Sequence, residues 1–130
     1  MALQINWQVE GRVIHEKFRG KMSSQTIHEH EAALAHYLKQ GQAPNMHLLV
    51  DFSELDDLPP LYALQHNRWA QHPRLGHVVV YGLNNKPTQW MAKLILSFAG
   101  VRHRFARDEQ DAIAKLQAMD VTLSRQTSVS

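Results

Sequence analysis

Residues 47–60 read HLLVDFSELDDLPP and gather Asp51, Glu54, Asp56 and Asp57 around one short segment. Carboxylates at such density are the ligand type of a hard cation such as Mg²⁺ or Ca²⁺. The spacing, however, has neither the glycine nor the distal glutamate of an EF-hand loop. Acids ahead of a helix are also what the helix dipole favours, so capping is the preferred reading. The chain has nine histidines. The string HEHE at 28–31 invites a metal reading, but positions two apart on a helix face different ways, so His28 and His30 do not chelate together. No H-E-x-x-H is present, and His66 and His72 are not at ligand spacing. The histidines therefore read as scattered surface polarity. No G-x-S-x-G occurs and no Ser/His/Asp set is placed by spacing. Neither G-x-x-x-x-G-K-[ST] nor G-x-G-x-x-G occurs. No catalytic residue, metal or cofactor is expected.

The elements that must position these residues follow from periodicity. LQINWQV alternates, with Leu3, Ile5, Trp7 and Val9 on one face, and predicts a half-buried strand. Glu10-Gly11 turns the chain into a second strand, RVIHEKFRG, ending at Gly20, to make an antiparallel hairpin. Ser23 or Ser24 caps a helix carrying Ile27, Leu34 and Leu38, with Gly41 as its left-handed terminator. MHLLVDF is apolar throughout and reads as a central strand buried on both faces, followed by the acidic loop. Pro59-Pro60 opens a helix carrying Leu61, Leu64 and Trp69. GHVVVYGL is the fourth strand. Pro87 opens a helix with Trp90, Met91, Leu94, Ile95 and Phe98 on one face. VRHRFA is a short fifth strand, and Asp108 caps a final helix with Ala112, Ile113, Leu116 and Met119 inward. The order ββαβαβαβα implies an α/β domain over 1–120, its sheet mostly parallel with an antiparallel hairpin at the start. Residues 121–130 are expected to be a flexible tail.

Composition narrows the class. The chain has 130 residues, 44% hydrophobic and 20% charged, and no cysteine. That fits one ordinary globular domain and excludes disulfides, thiolate metal sites and cysteine nucleophiles. No apolar run approaches the ~20 residues of a membrane span, and the N-terminus lacks the pattern of a signal peptide, so a cytoplasmic location is expected. Residues 1–65 hold 5 Lys/Arg and 8 Asp/Glu; residues 66–130 hold 9 and 4. The basic half lacks a recognised motif, and no nucleic-acid partner is expected.

Three strings carry a family resemblance: HLLVDFSEL at the central strand, GHVVVYGLNNKPTQWM at the next strand and helix, and VRHRFARDEQDAIAKL at the end. With the order of elements, they resemble the SpoIIAA-like proteins of the STAS-like superfamily, in their small stand-alone bacterial form. The resemblance spans roughly residues 3 to 120. It implies a STAS-like fold and a regulatory docking role, in which a serine opening the helix after the central strand is phosphorylated by a partner kinase. Asp51-Phe52-Ser53 matches the family's strand end. Leu58-Pro59-Pro60-Leu61 stands where that serine belongs, so the switch is expected to be absent.

The expected function is a non-enzymatic binding module. It would dock a partner protein or small ligand at the C-terminal edge of the strands, between the 51–60 and 82–90 segments, with Asp51, Ser53, Asp57 and Trp90 lining the site. A second expectation is an apolar-ligand carrier using the 87–98 helix. A third is a small enzyme of unidentified chemistry, resting only on the strand-end loops. A homodimer through an edge strand or the Trp90 helix is a further expectation.

Overall fold

The structure is a computed structural model that describes residues 3–41, 43–58, 72–83, 85–98, 100 and 102–123, apart from the Phe98 side chain. Five strands form one sheet in the order β1-β2-β3-β4-β5. They are β1 (Leu3–Val9), β2 (Val13–Lys21), β3 (Met46–Asp57), β4 (Leu75–Tyr81) and β5 (His103–Ala106). β1 pairs antiparallel with β2, and every later pairing is parallel. The described helices are α1 (Ser24–Gln40), α2 (Lys86–Phe98) and α3 (Glu109–Met119). The helix expected after Pro59-Pro60, with Leu61, Leu64 and Trp69, lies outside the described residues.

Alternation along the strands divides the core into two layers. Ile14, Phe18, Leu48, Val50, Val78 and Val80 point to the face covered by Ile27, Leu34 and Leu38 of α1. Val13, Leu49, Val79 and Tyr81 point to the opposite face, where Ala112 and Leu116 of α3 pack. A central strand with both faces buried must be apolar at successive positions, which is why MHLLV reads as a continuous run. Both predicted caps form. The Ser23 side chain accepts from the Thr26 N–H, and that of Asp108 accepts from the Asp111 N–H.

Four local expectations change. β3 does not end at Phe52 but runs to Asp57, paired with β2 as Arg19↔Glu54, Gly20↔Leu55 and Lys21↔Asp57. The acids meet Lys17, Arg19 and Lys21, and opposite charges across a strand pair favour the extended state. The supposed acidic loop is thus a strand extension beyond the last β4 pairing, Asp51↔Tyr81. Gly41 is not left-handed: its φ is −67° and ψ 149°. Glycine stands there because a Cβ would lie 1.9 Å from Met46 Sδ. On α2 the apolar residues divide: Ala92 and Ile95 are buried, while Trp90, Met91 and Leu94 are exposed. Finally, 121–123 form a helical turn rather than loose tail, because Leu123 is buried against the α3 layer; residues 124–130 lie outside the described residues.

Candidate functional site

The C-terminal edge of the sheet is built where β3 outruns β4. Asp51 is buried, and its Oδ1 accepts the Ser53 N–H at 2.8 Å. Its Oδ2 lies 3.9 Å from Lys17 Nζ. This local bond lies at the register shift in the β2–β3 pairing between Lys17↔Asp51 and Arg19↔Glu54, where an extra residue bulges the strand. Gly82, just past β4, has φ +89°, and a Cβ there would sit 2.6 Å from the Ser53 nitrogen. Only glycine allows β4 to end this close to β3. Ser53, Glu54, Asp56 and Asp57 are exposed. Glu54 pairs with Lys17 and, at 3.4 Å, with Arg19 Nε. Its hydrogen bond from Lys17 brings its carboxyl below the ordinary range.

α2 rises from the same end of the sheet. Asn85 Oδ1 accepts the Thr88 N–H at 3.3 Å, and the Gln89 side chain donates to the Leu83 carbonyl. The exposed Trp90, Met91 and Leu94 form a contiguous apolar strip along its outer flank. The expected residues therefore separate. Ser53, Asp57 and Trp90 reach solvent. Asp51 is engaged inside the fold and acts on the surface only by holding Ser53.

On the α3 face, His15 Nε2 and the Tyr81 hydroxyl are 2.6 Å apart. Burial first, and then the charges of Asp51 and Glu109, raise the Tyr81 phenol above its usual value. No local spacing signals this group, because His15 and Tyr81 come from separate strands.

Two histidine–carboxylate pairs, one part-buried and one fully buried, were also not legible as sites. At the opposite end of the sheet, His47 Nδ1 accepts the His77 backbone N–H at 3.0 Å. The ring proton therefore sits on Nε2, which donates to Asp120 Oδ2 at 2.8 Å. Arg12 reaches the same oxygen at 3.1 Å. Burial acts to raise the Asp120 pKa, but hydrogen bonds from Thr122 and His47 outweigh it and bring the carboxyl down to about 2. This cluster ties the end of α3 to β3. The second pair lies under α1. His30 Nε2 is 2.9 Å from Glu16 Oε1 and 2.8 Å from Oε2, with Glu16 fully buried. One N–H serves one oxygen well, and Oε2 is left with no hydrogen bond. A buried acceptor in that state costs roughly 1–3 kcal/mol. His30 and His47 are thus buried internal partners rather than surface polarity, and His15 is half-buried, while His28 and His36 are exposed as expected.

Beside Glu16 opens an apolar pocket of about 70 Å³. The sheet contributes Phe18, Leu48 and Val80, and α2 contributes Ala92 and Ile95. Among the described residues, no group of three or more His, Cys, Asp or Glu is placed to hold a metal ion. Nor is any helix among them long and apolar enough to cross a membrane.

No protein-family model matches the chain, and no curated protein matches it by sequence. Solved structures do. An uncharacterized protein of the DUF3478 family with a SpoIIAA-like fold, from Shewanella loihica PV-4, superposes at TM-score 0.64 with 20% identity, over 88% of this chain and 92% of that one. The anti-sigma factor antagonist SpoIIAA in its unphosphorylated form gives TM-score 0.61 and 18% identity, over 89% and 98%. The Bacillus cell fate determinant SpoIIAA in the phosphorylated form gives 0.54 and 17%, over 88% and 99%. At these identities the likeness is one of fold, and it agrees with the order of elements, the hairpin and the parallel crossovers. The chain is a mixed α/β domain with a SpoIIAA-like fold.

Proposed function

We propose that the protein is a non-enzymatic regulatory module that docks a partner protein at the C-terminal edge of its sheet. The observation that carries this reading is the bare strip on α2: Trp90 is 62% exposed, Leu94 41% and Met91 38%. Apolar residues scattered singly on a surface need no explanation, but three neighbours on one helix flank are the mark of a contact surface. Trp90 is the anchor type that dominates interface energetics. Ser53, Glu54, Asp56 and Asp57 supply a polar, acidic rim at the same end of the sheet. That SpoIIAA is an anti-sigma factor antagonist supports partner docking as the role of such a fold. Leu58 and the two prolines after it, where the resemblance expects a phosphoacceptor, favour docking without a serine phosphorylation switch. A location in the cytoplasm suits such a module.

The test is affinity capture from native lysate with quantitative mass spectrometry, comparing wild type with Asp57→Lys. Asp57 is exposed at the end of the β3 extension, so the like charge opposite Lys21 loosens only that strand end, and a cooperative melt with an unchanged circular dichroism spectrum shows that the variant keeps its fold. A protein retained by wild type and depleted several-fold with the variant supports the reading. Equal retention of every partner contradicts a role for the acidic rim.

A further inference from the structure

We infer that the pocket beneath α2 is a binding site for a small alcohol: a compact hydrocarbon body carrying one hydroxyl, which donates to Glu16 Oε2. This stands independently of the docking surface, which uses the outer flank of α2 rather than the inner one.

Three observations converge on it. The walls are apolar, with Phe18, Leu48, Val80 and Ile95 turned into the space. The volume of about 70 Å³ is more than one water fills and roughly half the ~150 Å³ that admits benzene. Among the described residues, the polar feature of the lining is the Glu16–His30 pair; Glu16 Oε2 is fully buried beside the pocket, 2.8 Å from His30 Nε2 but with no hydrogen bond. A water placed there would have that oxygen as its one evident strong acceptor, whereas an ordered water makes about three hydrogen bonds. A hydroxyl needs only one acceptor and brings its own alkyl body to the walls. An anionic head group brings no donor to that oxygen. A primary ammonium presents three donors to one acceptor and is left short of partners. The hydroxyl is the head group that the hydrogen-bond count selects.

The experiment titrates the full chain with ethanol and with dissolved ethyl chloride, its nearest shape without a donor, and follows the methyl NMR signals of Leu48, Val80 and Ile95. The expected result is saturable shifts with ethanol at least fivefold tighter than ethyl chloride. Glu16→Leu, which removes the acceptor, abolishes that preference. Ile95→Phe, which narrows the pocket from α2, weakens both probes. If Glu16→Leu does not fold, the wild-type comparison decides alone. Equal affinity for the two probes overturns the role of Glu16, and the absence of saturable shifts with either overturns the site.

Discussion

At the scale of single residues, energetics turn on two carboxylates held by histidines. Removing one partner of a buried hydrogen-bonded pair costs more than the pair contributes, because the survivor stays buried without compensation. His30→Ala is therefore expected to lower unfolding free energy by about 1–3 kcal/mol, whereas the joint change Glu16→Leu with His30→Phe costs less. Urea melts of the three chains check this, and a joint loss equal to the single loss would contradict it. Asp120 makes a pH-dependent contribution. Its carboxyl is held at about 2 against an ordinary value of 3.8. Because the folded value is the lower one, the stabilisation is complete above pH 3.8 and is lost as pH falls toward 2. It amounts to about 2 kcal/mol by linkage. Asp120→Asn should lose that amount at neutral pH and almost nothing near pH 2, as read from denaturant midpoints across the range.

At the scale of elements, α2 has one apolar flank in the core and another in solvent. Ile95→Ala is expected to cost about 2–4 kcal/mol through the enlarged pocket, while Leu94→Gln stays within about 0.5 kcal/mol of wild type. The junction of β3 and β4 is equally specific. Gly82→Ala adds a Cβ against the Ser53 backbone at a positive φ and should lower the melting temperature clearly, where Gly11→Ala, with open space around it, should do so less. These elements also mark what the sequence discloses. Alternation and capping locate β1, α1, β4 and α3, because their signals are local. The division of α2 was not legible, since periodicity groups apolar residues without saying which flank meets the sheet. Nor was the length of β3, because its acids are stabilised as strand by Lys17, Arg19 and Lys21 on a neighbouring strand. Of the proposed surface, Ser53, Asp57 and Trp90 were readable as polar or aromatic residues near strand ends. The inward role of Asp51 and the Glu16–His30 pair depend on contacts between segments distant in the chain.

At the scale of the whole molecule, the sheet separates two differently stabilised ends. His77, stacked on His47, has its pKa lowered by burial first and then by its neighbours His47, Arg102 and Arg104. A lowered histidine stabilises the fold above its ordinary 6.5, and that contribution fades as pH falls below it. Acid unfolding should thus weaken the protein first below pH 6.5 and again below pH 3.8, and His77→Gln should flatten the first decline alone. At the other end of the sheet lie the β3 extension and α2, the surface proposed to dock a partner. The decisive measurement is the affinity of the partner captured from lysate for wild type and for Trp90→Lys with Leu94→Lys, using purified proteins. The docking account predicts at least a tenfold weaker Kd, about 1.4 kcal/mol, with an unchanged melting temperature. An unchanged Kd for a correctly folded double variant would contradict docking through this surface.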